Sequence, residues 1–359
     1  VIAPSPLGAR SRTLSDRVNT FGQYLLRRYG ERVHKLAIHA GFTCPNRDGT
    51  KGRGGCTFCN NASFNPQGKA PPPIEAQIAA GRAVLARRTG ARRFLAYFQA
   101  YSNTYDDLAA LRHRYDRALA CPGVIGLSIG TRPDCVDESV LGLLASYRAR
   151  GLEVWLELGL QSAHDQTLAR VNRGHGLAEY RQAVEAAHRH DLPVCTHLIL
   201  GLPGEGPERA LDSLETVLAL GVEGLKLHPL HVVRHTRLAQ DWRRGGYRPW
   251  GIKDYVDACA DLIERTPTEV LYHRLTGTAS PEVLLAPQWC SRKWAVLNGI
   301  ESELHRRGSR QGCRLADSSA STPPYVPDSM CSASTASGAT KGTGYPSSPS
   351  SISHGIGLK

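Results

Sequence analysis

No stretch of the 359 residues approaches the ~18 consecutive apolar residues that a membrane helix needs, so no membrane partner is expected. The chain opens on VIAPSPLGARSRTLSDRV, which lacks the apolar core of a secretory leader. Cysteine, ten in all, is too sparse for a disulfide-stapled scaffold. Together these shortages point to a reducing cytoplasm, where clustered cysteines serve metal or redox chemistry. Acids are also short: 32 stand against 44 Lys and Arg, a net charge of +12. Residues 313–359 supply only +1 of it, from Arg314, Lys341 and Lys359 against Asp317 and Asp328. The rest suits a polyanionic partner such as RNA. No long basic run carries it, only pairs such as Arg87-Arg88, Arg92-Arg93 and Arg243-Arg244, so an Arg-rich solvated surface is the plainer account.

What is present is an alternation. Residues 14–30 read as one amphipathic helix, with Asp16 to cap it and Gly30 to end it. Strand patterns then recur at 34–40, 93–99, 124–130, 153–160, 193–201 and 222–230, with helical patterns between them. Six strand–helix units predict an α/β fold with a parallel sheet, which right-handed crossovers can curl into a barrel or leave open; a partial (β/α)6 barrel is expected. Chemistry in such a fold sits at the C-terminal strand ends. The segments FQAYSNTY, GTRPD, GLQS, GLPGE and LHPLH all fall there, and so does a loop holding Cys44, Cys56 and Cys59. The expected division is an N-terminal helical segment (1–30), the barrel (31–235), a small α/β extension over its open side (236–312) and a low-complexity tail (313–359). The tail's Ser, Gly, Thr and Pro content cannot offset the entropy of ordering it.

The three cysteines, with eleven and then two residues between them, sit in a Gly-rich loop that gives thiols no apolar shelter. Cys121, Cys135, Cys195, Cys259 and Cys290 are isolated and read as inert thiols. A structural zinc site wants four ligands; His39 is the available fourth, but it precedes the loop on a strand. Three thiolates suit a four-iron cluster with one iron left open.

This loop, with Phe58 before its last cysteine, resembles the radical SAM superfamily, although the commonest spacing there has three residues between the first two cysteines. CPNRDGTKGRGGCTFC, GTRPD and ELGLQS are similar to the Elongator-Protein-3-like branch. Within it they resemble a largely uncharacterised bacterial family with this long loop, as do HPLHVVRHTRLA and HRLTGTASPEVLLAPQW. The resemblance covers roughly residues 14–312.

It implies a [4Fe-4S] cluster on Cys44, Cys56 and Cys59, and S-adenosylmethionine chelated to the open iron. Reduction by a donor such as flavodoxin or ferredoxin would cleave that cofactor to methionine and a 5′-deoxyadenosyl radical. Phe58, Gln99, Ser102 and Asn103 are the expected cofactor contacts near the cluster. GLQSAHDQTLARVNRGH resembles a segment of oxygen-independent coproporphyrinogen oxidase, which marks Gln161 and Arg173 as cofactor ligands. That oxidase has an Asp four residues before its Gly-Leu-Pro; here His197 stands instead, either facing the ribose or satisfied by backbone within its strand, and the resemblance implies that Gly201 and Gly204 pass along the adenine. Glu157 and Lys226 are charges in apolar strands; Glu157 is expected inside the barrel facing the cofactor, or in an ion pair with Lys226 or Arg132. His228, His231 and Arg234 are placed to meet substrate. Elongator-like relatives modify tRNA wobble uridine, which makes tRNA or another RNA a candidate partner, but no acetyltransferase domain follows the barrel here. The alternatives are an iron–sulfur or zinc protein that binds nucleic acid without radical chemistry, and a scaffold that has lost turnover.

Overall fold

The parallel sheet foreseen in the alternation forms, and it is one strand wider than expected. The structure, a computed structural model, describes residues 13–60 and 71–315. Its strands are β1 (Val33–Ile38), β2 (Arg93–Phe98), β3 (Val124–Thr131), β4 (Glu153–Gln161), β5 (Val194–Leu200), β6 (Gly224–Pro229), β7 (Val232–Val233), β8 (Leu271–Arg274) and β9 (Leu284–Ala286). The main sheet runs β1-β2-β3-β4-β5-β6-β8, parallel throughout, while β7 and β9 form a separate antiparallel pair. The helices are α1 (Leu14–Arg17), α2 (Phe21–Tyr29), α3 (Pro45–Asp48), α4 (Ile74–Thr89), α5 (Leu108–Leu119), α6 (Glu138–Ala149), α7 (Asp165–Arg170), α8 (Leu177–Arg189), α9 (Pro207–Leu218), α10 (Arg237–Arg243), α11 (Ile252–Glu264) and α12 (Lys293–Arg306).

The central strands are buried on both faces, which is why they read as near-continuous apolar runs. Leu111, Tyr115, Leu144, Tyr147, Tyr180, Leu214 and Tyr255 fill the layer between helices and sheet without exposure. A smaller cluster, Phe21, Leu25, Leu95, Trp155, Cys195 and Leu271, fills the inside of the curl.

The single helix expected over 14–30 is two helices. Val18 is extended and Thr20 forms a parallel bridge with Tyr272, so the linker lies as a short edge strand beside β8. Asn19 accepts the Tyr272 N–H and donates its own N–H to Gln311. The Thr20 hydroxyl then caps α2 by accepting the Gln23 N–H, and Gly30 ends it in a left-handed turn. Asp16 serves as the reciprocal partner of the true cap, Thr13. Helix α2 packs on both β1 and β8 and so spans the gap between the first and last strands.

The segment 269–275, expected in a separate extension, supplies β8 and completes the curl. Its neighbour there is β6, so the sheet outlasts the strand–helix alternation that announced it. From residue 316 onward the expected tail lies outside the described residues. Arg314, assigned to that tail, ion-pairs with the buried Glu264 at 2.8 Å.

Candidate functional site

A cleft opens at the C-terminal ends of the strands, where the fold class places chemistry. Cys44, Cys56, Phe58 and Cys59 line it together with Gln99, Ser102, Gln161, Arg173 and His197. The long cysteine loop is held by a series of bonds. Lys51 and Gly52 both donate to the Pro45 carbonyl, and Gly55 donates to Asn46. Buried Asn46 donates to the Asn172 carbonyl at 2.6 Å, and Asn172 returns a bond to Gly55 at 2.9 Å. Thr57 N–H reaches the Val171 carbonyl. These bonds fasten the eleven residues between Cys44 and Cys56 to the end of α7. The two asparagines carried no sequence signal, because their meaning lies in a contact across 126 residues.

The three thiols are uncombined. Burial first, then the neighbouring Cys56, push the Cys59 thiol up, and the Arg47 guanidinium opposes them. Among the described residues, the one trio of ligand atoms mutually within 4.8 Å is Glu157, Cys195 and His197. The cysteine sulfurs of the loop are thus spread wider than the roughly 4 Å that a tetrahedral zinc with ~2.3 Å Zn–S bonds would hold. His39 does not line the cleft; its Nδ1 accepts the Gly41 N–H. The isolated thiols behave as buried groups do: burial pushes Cys135 and Cys259 up to about 12.

Gln161 sits where β4 ends in a register shift against β5, with φ +82. A non-glycine residue in that region is costly and is kept where the surroundings fix it. Buried Arg173 donates to the Gly159 carbonyl at 2.6 Å and approaches Cys56 Sγ at 3.5 Å. Its Nε has no partner among the described residues. A Cβ on Gly159 would come within 2.7 Å of the Gln161 amide and 2.9 Å of the Arg173 guanidinium, so glycine is what lets both side chains share that corner.

Below the cleft lies a buried polar network around Glu157. One carboxylate oxygen accepts from Lys35 and Ser128, the other from Lys226 and His197, both at 2.7 Å. Lys226 also donates to Tyr97 Oη at 2.7 Å, and Lys35 to His273 at 2.9 Å. Burial alone would raise the Glu157 carboxyl; the Lys226 and Lys35 ammoniums outweigh it and hold it well below the usual range. Burial pulls Lys226 down to about 7 against the pull of Glu157. Burial, reinforced by Lys226, lowers His197 to about 4. In the Glu157–Cys195–His197 trio both Glu157 oxygens are already engaged by Lys35, Ser128, Lys226 and His197.

Several expected contacts fall elsewhere. Glu157 does not line the cleft and reaches it only through His197 and Tyr97, so the ion-pair expectation with Lys226 describes it and direct cofactor contact does not. Asn103 also lies off the cleft, its amide turned to the Gly130 carbonyl at 2.6 Å. Gly201 and Gly204 face away from it: a Cβ on Gly201 would meet the Trp250 ring at 3.2 Å, and one on Gly204 would overlap the Arg170 guanidinium. Their positive φ serves packing of the loop after β5. Arg234 is exposed outside the cleft, while His228 and His231 line it. Tyr97, Tyr101, Ile199 and Arg274 line it too; Tyr101 and Arg274 lie in segments the sequence singled out, but none of the four was named as a candidate.

The profile of the radical SAM superfamily matches residues 44–217, and that of the radical SAM C-terminal domain matches 222–306. Protein YhcC of Escherichia coli K12 is 48% identical over 295 residues, 82% of this chain and 94% of that protein. YtqA of Bacillus subtilis is 36% identical over 297 residues, 82% of this chain and 92% of its own length. Among solved structures, archaeal Elp3 of Methanocaldococcus infernus superposes with a TM-score of 0.57 at 17% identity, a likeness of fold. That match covers 78% of this chain and 64% of the archaeal one.

Proposed function

The chain belongs to the radical SAM superfamily, and from that premise we propose that Cys44, Cys56 and Cys59 hold its cluster, that Gln161 and Arg173 bind its S-adenosylmethionine, and that its substrate is RNA. It is a radical SAM enzyme, and its cofactors are a [4Fe-4S] cluster and S-adenosylmethionine. Bound together, these supply one-electron chemistry that removes a hydrogen atom from a substrate. Such enzymes need a reductant, and a flavodoxin or ferredoxin fits that need.

The observation that carries the site assignment is convergence. Three thiols from one loop, Gln161 at a strained strand end and a buried guanidinium with an unused Nε all border one cleft. The residues fit the cofactors chemically: thiolates are iron ligands, and a guanidinium fork suits a carboxylate. Phe58, Gln99 and His197 contribute the remaining wall, His197 as a neutral imidazole oriented by Glu157. Apolar packing of Phe58 against the α10 region limits water access beside the cysteines.

RNA is favoured by the +12 charge and by one surface feature. Trp294 is 71% exposed at the start of α12, beside exposed Arg292 and Lys293. Lys293 is close enough to the cleft residue Arg274 that their charges interact. An exposed indole beside cations is a platform on which a base can stack, worth about 1–3 kcal/mol per base.

The test is anaerobic reconstitution with iron and sulfide. About four irons per chain are expected, lost when any of the three cysteines is changed to Ala. The reduced protein should form 5′-deoxyadenosine, and Arg173→Ala should weaken S-adenosylmethionine binding roughly ten- to a hundredfold at normal iron content. Unaltered binding in that variant would remove Arg173 from the site. For the substrate, binding of a bulk tRNA pool should weaken in Trp294→Ala and fall steeply with salt; no RNA binding at any salt would sink the RNA assignment.

A further inference from the structure

We propose that Arg274 anchors a subsite for an anionic group of the substrate, a carboxylate or a phosphate, within the same cleft. The inference rests on the reading of that cleft as the cofactor and substrate site.

It starts from backbone register. Gly224 and Leu225 of β6 face Leu271 and Tyr272 of β8, but Lys226 then faces Arg274, so His273 is the extra residue of a bulge. Strand residues normally alternate between faces, and a bulge re-aims the next side chain. Here His273 points into the curl, stacked on Phe21 and hydrogen-bonded to Lys35, and its immediate neighbour Arg274 lines the cleft. Two consecutive side chains therefore enter the interior. Without the bulge Arg274 would face the helices.

Four arginines border the cleft, and three of them are occupied. Arg47 donates to the Cys59 carbonyl, Arg132 grips Asp134 and the Arg173 carbonyl, and Arg173 holds Gly159. The Arg274 side chain makes no hydrogen bond and no ion pair among the described residues. Tyr97, Cys195, Lys226, His228, His231 and Lys293 all feel its charge, and none of them is a carboxylate. The carboxylate of the interior, Glu157, already serves Lys35 and Lys226. Burial first, and Arg274 with it, keeps His228 and His231 neutral, so they can donate or accept hydrogen bonds without adding charge. His231 Nε2 is itself buried with no partner among the described residues. A guanidinium fork, an unpartnered imidazole nitrogen and the Thr278 side chain thus border one part of the cleft, a donor set for an oxyanion. In sheet order it lies three strands from β4, which carries the Gln161 corner, so one bound molecule need not fill both.

The test uses the full chain, cluster-loaded and saturated with S-adenosylmethionine, with 13C-acetate and inorganic phosphate as separate probes followed by NMR. Wild type should bind at least one of them. Arg274→Gln should weaken that binding at least tenfold, and Arg274→Lys, which keeps the charge but loses the fork, should fall between. Arg87→Gln, an exposed arginine on α4, should bind as wild type does. The stronger probe identifies the group as carboxylate or phosphate. No binding of either probe to wild type, or wild-type binding in a folded Arg274→Gln chain, overturns the subsite. So does a loss that accompanies Arg173→Gln and spares Arg274→Gln. S-adenosylmethionine binding is measured on the same samples by equilibrium dialysis: its absence overturns the cofactor reading as well, whereas its presence with an inert Arg274 overturns the subsite alone.

Discussion

At the scale of single residues, Glu157 shows how a charge survives in a barrel interior. It has no exposure, and its burial is tolerable because Lys35, Lys226, Ser128 and His197 use both oxygens. Glu157→Gln keeps the shape and removes the charge, which leaves two ammoniums without their counter-ion. Breaking a buried pair from one side costs about 3–5 kcal/mol. Urea denaturation should show a loss of that order, and adding Lys226→Met should return part of it; a neutral Glu157→Gln would mean that water reaches the network. Lys226 and Glu157 were both visible in the sequence as charges among apolar residues, so their pairing was legible. Lys35 and Tyr97 were not, since each sits in a strand pattern that looks ordinary until the curl of the sheet brings it into the network around Glu157. The thiols of Cys44, Cys56 and Cys59 were legible from spacing alone. Asn103, Gly201 and Gly204 lie near the expected strand ends, but none of them lines the cleft. A strand end fixes position along the sheet, but the direction of the next side chain depends on turns that the sequence does not print.

At the scale of elements, α2 has the largest structural task for its nine residues. Phe21 and Leu25 enter the inside of the curl, where Phe21 stacks on His273 at 3.9 Å and meets Trp155 edge-on at 5.2 Å. The Lys35 ammonium lies 4.6 Å from its ring centre. Phe21→Ala should therefore cost about 3–5 kcal/mol, as large-to-small changes of a buried aromatic do. The Lys35–His273 contact should loosen with it. A urea midpoint unchanged by the substitution would show that α2 does not support the barrel. Element boundaries in the alternating region could be read best where a capping residue stands, as at Asp107 and Asp137 at helix starts and Gly90 at a helix end. The break at 18–20 could not, because it is imposed by β8 and Gln311, residues about 250 to 290 positions away.

At the scale of the whole molecule, the barrel interior buries several imidazoles in neutral form. Burial lowers His197 and His231 to about 4, and His175 and His273 to about 3. These values lie below the ordinary 6.5, so between that pH and about 4 the unfolded chain binds more protons than the folded one. Stability must then fall as pH falls through this window, by up to about 1.4 kcal/mol per pH unit for each such histidine. The Glu157 carboxyl adds loss only at lower pH, since its folded value is depressed below the usual carboxylate range. Thermal unfolding of the cluster-free chain should show the melting temperature dropping from pH 6.5 to 5, before ordinary carboxylates titrate. A melting temperature flat across that interval would mean the imidazoles are hydrated.

The bridge between Thr20 and Tyr272 has a consequence in time. Arg17 bonds Ser309 and Asn19 bonds Gln311, each across 292 residues. On the ribosome the segment that spans the gap is made before every strand of the sheet, yet its acceptors emerge 292 residues later. Strands β1 to β6 can pair in the order of synthesis, each with the one before it. The amphipathic α2 meanwhile has its own strand β1 to lean on and lacks β8. Closure is thus a late, long-range event, of the kind that slows folding and leaves intermediates with exposed apolar surface. A ribosome stalled before residue 271 should hold a nascent barrel that proteases can open at its seam.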